Sequence, residues 1–193
     1  MRSGAIRRTT TETDIAVELS LDDAQSRSIS TGSAMFDHLL LAFAFHARIG
    51  CRIEARSLDG IRHHLVEDTA IALGQALDAA LGERRGIVRY GERTIPMDDA
   101  LVRAVVDLGG RAWSRTALDL RCERIEDLES VFVPHFFASL AQHARMTLHI
   151  DRFAGDDPHH VVEAAFKALA RACALAWALD PNADPIASTK GCF

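Results

Sequence analysis

Two short elements carry residues able to hold metal ions: His63-His64-x-x-Glu67 and His159-His160-x-x-Glu163. On a helix, residues three or four apart share a face, whereas adjacent residues diverge by about 100°. Glu67 can therefore join His63 or His64 on one ion, but the two neighbouring imidazoles do not easily reach the same ion. Each element should point its two rings at two different metals. His38 and His135 add one imidazole to each copy. Six histidines and two glutamates suffice for two ions with three imidazoles and one carboxylate each, leaving open positions on an ion that prefers six ligands. Nitrogen and carboxylate donors without thiolate suit Mn²⁺, with Fe²⁺, Co²⁺ and Zn²⁺ as competitors. A helix N-terminus carrying exposed polar residues is the plain alternative. It does not explain two such elements, each at the same distance behind a histidine-bearing helix.

The remaining histidines are less telling. The chain holds 9 histidines against a single tyrosine, and a lone buried histidine is usually a satisfied core residue, which is how His149 reads. His46 and His143 lie about two helical turns beyond His38 and His135, where they either line a pocket or cap their helices.

The elements that must position these side chains repeat. A shift of about 97 residues lays His38, Leu40, Phe43, His46, Ala47 and Arg48 on His135, Phe137, Leu140, His143, Ala144 and Arg145. After a one-residue adjustment His63, His64 and Glu67 meet His159, His160 and Glu163, and Ala72, Leu73, Ala76 and Ala80 meet Ala168, Leu169, Ala172 and Ala176. The chain reads as two copies of one unit of just under a hundred residues. Within a unit, Ile15, Val17, Leu19 and Leu21 alternate as in a half-buried strand. A helix with Phe36, Leu39, Leu40, Phe43 and Ala47 on one face follows, then a short strand with Ile49, Cys51 and Ile53. A longer helix runs from about His64 to Leu81, with Gly82 as its stop. In the second copy the last helix carries Val162, Phe166, Leu169, Cys173 and Trp177, and further strands lie between Ile87 and Leu120. The expected fold is α/β (α+β, two-layer): internally duplicated β-α-β-α halves with the helices packed between two sheets.

Composition narrows the function. At 193 residues, 48% hydrophobic and 25% charged, the chain has the profile of an ordinary globular protein. A net charge of −5 argues against nucleic acid as a partner, and no apolar run is long enough to span a membrane. The basic N-terminus lacks the apolar stretch of a signal peptide, and the scattered Cys51, Cys122, Cys173 and Cys192 read as thiols in a reducing cytoplasm. A small anionic substrate would need only a local basic pocket.

Eight segments taken in order resemble the imidazoleglycerol-phosphate dehydratase family. They are Arg8-Thr9-Thr10-Thr11-Glu12-Thr13; Thr31-Gly32 with Phe36-Asp37-His38; His63-His64-Leu65-Val66-Glu67-Asp68; Pro96-Met97-Asp98; Asp107-Leu108-Gly109-Gly110-Arg111; His135-Phe136-Phe137; His159-His160-Val161-Val162-Glu163 with Phe166-Lys167-Ala168; and Ser188-Thr189-Lys190-Gly191. The resemblance implies a single domain of the ribosomal S5 domain 2 type made of two repeats, residues 8–92 and 93–185, with 186–193 as a substrate-contacting tail. It implies two Mn²⁺ per subunit on His38, His63, His64, Glu67, His135, His159, His160 and Glu163. Substrate contacts fall on Glu12, His46, Arg89, Arg111, Ser188 and Lys190. It also implies a large homo-oligomer, commonly of twenty-four chains, with active sites at subunit interfaces. The chain departs from the family pattern at Ser33, Ala34, Leu65, Gly109 and Asp157. The segment Leu58 to Arg62 is shorter than usual and lacks the common acidic residue before the histidine pair.

The implied reaction takes water from a phosphorylated imidazolyl diol, giving an imidazolyl ketone phosphate in histidine biosynthesis. The proton to be lost is not beside a carbonyl, so the substrate's own ring must do the pushing. Two metals on the ring nitrogens would stabilise an imidazolate that expels the C1 hydroxyl as a diazafulvene; loss of the C2 proton then gives an enol and the ketone. Glu12, not needed as a ligand, is the expected proton carrier. Arg89, Arg111 and Lys190 are the expected phosphate contacts. A divergent relative acting on another imidazole or phosphate compound, and a metal-binding oligomer without turnover, are the rival readings. Glu12, Arg111 and Lys190 count against the second, since metal storage has no use for them.

Overall fold

The structure, a computed structural model, describes residues 1–182 and 186–188. The first half runs β1 (Ser3–Thr9), β2 (Thr13–Ser20), β3 (Arg27–Ser30), α1 (Ala34–Ala47), β4 (Gly50–Ser57) and α2 (Arg62–Leu81). The second half runs β5 (Tyr90–Met97), β6 (Ala100–Asp107), β7 (Trp113–Ala117), the short pair β8 (Arg124–Ile125) and β9 (Leu128–Glu129), α3 (Phe132–His143), β10 (Thr147–Ala154) and α4 (Pro158–Ala176).

The halves form two four-stranded sheets of matching order, β1-β2-β4-β3 and β5-β6-β10-β7. In each, the strand before the first helix pairs parallel to the strand after it, and the remaining pairs are antiparallel. The α/β class and the helices between two sheets are as expected. Each four-stranded sheet carries two more strands than β-α-β-α supplies, and the second half adds the β8–β9 pair; β1 and β3 are edge strands with little apolar alternation. The boundary at 92/93 falls inside β5, and β1 begins ahead of residue 8. The residues aligned by the shift lie on the helices and on β4 and β10, where Cys51 and Ile53 meet Leu148 and Ile150, so they do not mark where each sheet begins.

The two halves exchange helix contacts. α2 packs on β1 and β2 and against α3, while α4 packs on β5 and β6 and against α1. Phe36 of α1, Phe136 and Phe137 of α3 and Phe166 of α4 join at the centre, with ring centroids 5.6 Å apart for Phe36–Phe136 and 5.1 Å for Phe136–Phe166. His149 is not the core histidine its isolation suggested. Strand alternation buries Leu148 and Ile150 inward and leaves His149 half-buried on the other face of β10. No helix of the described residues is long and apolar enough to cross a membrane.

Gly4 and Gly91 let the edge strands touch the long helices. A Cβ on Gly4 would collide with the backbone carbonyl of Ala76 in α2, and one on Gly91 with that of Ala172 in α4. Ala76 and Ala172 are themselves equivalent in the sequence repeat. Gly91→Ala and Gly4→Ala should each lower stability by about 1–3 kcal/mol through overpacking, read as an earlier midpoint in urea unfolding. Unchanged midpoints in both would show that the strands do not rest on the helices.

Candidate metal centres

Both HHxxE elements open helices, as their spacing requires. α2 starts at Arg62 and α4 at Pro158, and the Asp157 side chain caps α4 by accepting from His159 N at 2.8 Å. Asp157 stands where the family usually has asparagine; either residue can cap a helix. Leu65, where threonine is usual, is buried in the core.

His63 and Glu67 of α2 meet His135 of α3. The Nε2 atoms of His63 and His135 lie 3.5 Å and 3.4 Å from the two Glu67 oxygens, and the two rings are 4.7 Å apart. In the other group His159 and Glu163 of α4 meet His38 of α1. Their Nε2 atoms lie 3.4 Å and 3.2 Å from Glu163 Oε2. Within each group the candidate ligand atoms all lie within 4.8 Å of one another. Each site draws on both halves, since the single histidine of one half joins the HHxxE element of the other.

His64 and His160 join neither group. His64 Nδ1 is 2.6 Å from Asp59 Oδ2 and 3.7 Å from Glu12 Oε2. His160 Nδ1 is 2.7 Å from Asp99 Oδ1, with Asp98 Oδ2 3.3 Å from its Nε2. Among the described residues each centre thus holds two imidazoles and one carboxylate, and His64 with Glu12 and Asp59 makes a third cluster of possible ligands.

These residues fit a divalent ion. Ligand atoms at ~2.1 Å from an ion and at right angles lie ~3 Å apart, close to the separations of 3.2–3.5 Å found here. His135 Nε2 is buried with no hydrogen-bond partner among the described residues. It is near enough to Glu67 to count as an ion pair but is poorly aimed for a hydrogen bond. A buried nitrogen of this kind is costly without a partner.

Local charges keep the Glu163 and Asp99 carboxylates ionised. Burial works to raise the Glu163 pKa, but the Lys167 ammonium at 2.8 Å and His38 outweigh it and hold the carboxyl at about 2. Asp99 is held well below the usual carboxylate range by His160 and by the N–H groups of Asp156 and Asp157. Asp59 raises the His64 pKa, and Asp99 raises that of His160.

Four other carboxylates hold the scaffold. Asp68, buried in α2, accepts from Arg8 Nε at 3.0 Å and from buried Thr13. This pins the β1–β2 turn to α2 and sets Glu12 beside His64. Asp37 accepts from Thr31 N and Oγ1 at 2.7 and 2.6 Å, one residue before His38. Asp127, in the β8–β9 turn, accepts from Ala34 N and Met35 N at 3.0 and 2.8 Å and pairs with Arg62 at 3.6 Å, so it ties the starts of α1 and α2 together. Asp107 grips Arg89 with both oxygens, at 2.7 and 3.0 Å. A Cβ at Gly109, where serine is usual, would press on that pair.

The expected substrate residues are dispersed. Glu12 is half exposed. Arg89 is buried over the Tyr90 ring, donates to Ala187 O, and its backbone N donates to Ala176 O at the far end of α4. Ser188 lies next to that Ala187, and exposed Arg111 lies beside Thr147. The His46 pKa is lowered by partial burial and by Lys167 and Arg171. Lys190 is outside the described residues. Sequence reasoning assigned no role to Lys167, Asp59, Asp99 or Asp127; of these only Lys167 lies in a recognised motif.

A sequence profile of the imidazoleglycerol-phosphate dehydratase family matches residues 31–173. The chain belongs to this family. It is 47% identical over 193 residues to the dehydratases of Roseobacter denitrificans and Ruegeria pomeroyi, covering 99% of each chain. The crystal structure of the Staphylococcus aureus dehydratase matches with a TM-score of 0.84 at 34% identity, covering 92% of this chain and 99% of that one. That of Pyrococcus furiosus matches with the same score at 37% identity, over 97% and 100%.

Asp127 offers a check on how the family scaffold is held here. Asp127→Ala should cost about 1–2 kcal/mol by removing the cap of α1, measured by thermal unfolding. An unchanged midpoint would mean that Asp127 does not hold α1.

Proposed function

We propose that this chain is a two-metal dehydratase whose active sites are completed between subunits. The reaction is that of its family: D-erythro-1-(imidazol-4-yl)glycerol 3-phosphate loses water to give 3-(imidazol-4-yl)-2-oxopropyl phosphate in histidine biosynthesis. The observation that carries the metal reading is the pair of His–His–Glu groups, each with its ligand atoms within 4.8 Å. His63, Glu67 and His135 would hold one Mn²⁺, and His38, His159 and Glu163 the other, with Fe²⁺, Co²⁺ or Zn²⁺ as substitutes. When bound, the ions act as Lewis acids on the ring of the substrate.

Assembly follows from distance. α4 is 19 residues long, roughly 28 Å at about 1.5 Å per residue. His159 opens it, while Arg89 and the Ser188 segment stand at its far end. A molecule of one five-membered ring and three carbons does not span that gap. This distance supports a reading in which the phosphate contacts and the metal that serve one substrate come from different subunits of a homo-oligomer, read from the family resemblance as twenty-four chains. His64 and His160 supply the third imidazole to a neighbour's ions. The centres lie at the surface, with side-chain exposures of 34–47% for His38, His63, His135 and His159. Exposed Phe45, Trp113 and Phe153 add apolar area for contacts between chains.

Glu12 would carry the proton. It sits within 3.7 Å of His64, so it travels with that imidazole to the shared site. Arg89, Arg111, Ser188 and Lys190 hold the phosphate, and His46 approaches the substrate from α1. The matching sheets support the reading of the halves as copies of one unit. The free thiols of Cys51, Cys122 and Cys173 suit a reducing cytoplasm.

Formation of the imidazolyl ketone phosphate in the presence of Mn²⁺ tests the activity; no product with Mn²⁺ or its substitutes would overturn it. Glu67→Gln and Glu163→Gln should lose metal and activity together, because each removes an anionic ligand. Glu12→Gln should keep both ions and slow turnover by ~10²-fold or more; parental turnover would remove Glu12 from the chemistry. Ions that bind only the joined state stabilise it by mass action. A chelator should therefore shrink the particle in light scattering, and Mn²⁺ should restore it. An unchanged mass would count against shared sites.

A further inference from the structure

The two histidines left outside the ligand groups are held alike. Asp59 Oδ1 accepts from Ile61 N at 2.8 Å and Ser57 Oγ at 3.0 Å, while its Oδ2 faces His64 Nδ1 at 2.6 Å. Asp99 Oδ2 accepts from the backbone N–H groups of Asp156 and Asp157 at 2.6 and 3.1 Å, while its Oδ1 faces His160 Nδ1 at 2.7 Å. In both, one carboxylate oxygen is fixed by a backbone N–H of the loop leading into the helix, and the other grips the imidazole. The two acids are not copies of each other. Asp59 lies in the loop before its own helix, and the repeat sets it opposite Gly155. Asp99 comes from the β5–β6 hairpin of the neighbouring sheet edge. Each half has reached the same wiring by a different route.

A carboxylate can only accept, so each Nδ1 carries the proton, and in the neutral ring each Nε2 is left as the lone-pair nitrogen. The geometry points to Asp59 and Asp99 as positioning residues that fix His64 and His160 in the Nε2-binding tautomer and aim that nitrogen outward, toward a neighbouring subunit's ion. A carboxylate behind a ligating imidazole sets its tautomer and ring orientation and raises its basicity. Asp59 supplies, from within a shortened loop, the acid that the family places next to the histidine pair. Asp98, 3.3 Å from His160 Nε2, is a largely exposed side chain on a hairpin turn and can swing aside for an ion. The inference rests on the reading of His64 and His160 as ligands.

The test uses Asp59→Ala, Asp59→Asn, Asp99→Ala and Asp99→Asn in the full assembled protein, beside His64→Ala and His160→Ala. Mn²⁺ affinity is measured by titration calorimetry and by electron paramagnetic resonance of free Mn²⁺, together with thermal unfolding of the metal-free protein. The alanine variants should bind Mn²⁺ about 10–100-fold more weakly. The asparagine variants, which keep an acceptor for Nδ1–H and lose the charge, should recover part of that loss. Parental Mn²⁺ affinity in all four aspartate variants, with only the metal-free unfolding midpoint lowered, would reduce both acids to loop anchors and overturn the inference. Parental affinity in His64→Ala and His160→Ala would overturn the ligand reading itself, and this inference with it.

Discussion

Two side chains one residue apart on a helix point about 100° apart, and the arrangement of this protein depends on that angle. His63 turns toward Glu67 and the second half's His135, so His64 is directed away to Asp59 and Glu12. The same division separates His159 from His160. A single imidazole at either position would make a closed pocket residue. An adjacent pair makes an element with one imidazole turned to the opposite half's histidine and one turned away from it.

The inward donors are brought together by packing rather than by local chain. α1 and α3 lie against the long helices of the opposite half, and the aromatic cluster of Phe36, Phe136 and Phe166 fixes their approach. His38 and His135 ride on these short helices, one or two residues from the cluster. Burial of the rings, worth several kcal/mol each when removed from a core, therefore also sets the distance between the candidate ligands contributed by separate halves. Carboxylates complete the task at the surface, where apolar packing ends: Asp127 binds the starts of α1 and α2 together, and Asp68 holds the turn that presents Glu12.

The departures from the family pattern are absorbed by the same logic. Asp157 caps as asparagine does, Leu65 fills core volume, and Gly109 leaves room for the Arg89–Asp107 pair. None of these positions supplies a ligand. The loop lacking an acid beside its histidines still delivers one, because Asp59 reaches back to His64 from within the turn.

The two HHxxE elements, the helices that bear them, the order of the halves and the family were legible in the sequence, because helical periodicity and turn residues act within a few positions of the chain. The edge strands β1 and β3 were not, since strands with little apolar alternation owe their form to neighbours supplied by β2 and β4. The alternation of β10 was visible, but which of its faces was covered was not, and His149 stood on the uncovered one. The grouping of ligands lay equally out of reach: spacing alone allowed Glu67 to join either histidine, and only the approach of α3 decides for His63. Asp59, Asp99 and Asp127 carry no signature in spacing, because an acid among many acids becomes a partner only when a distant loop is folded against it. Residue type and local geometry marked the candidate donors; long-range packing decided which of them meet within one chain.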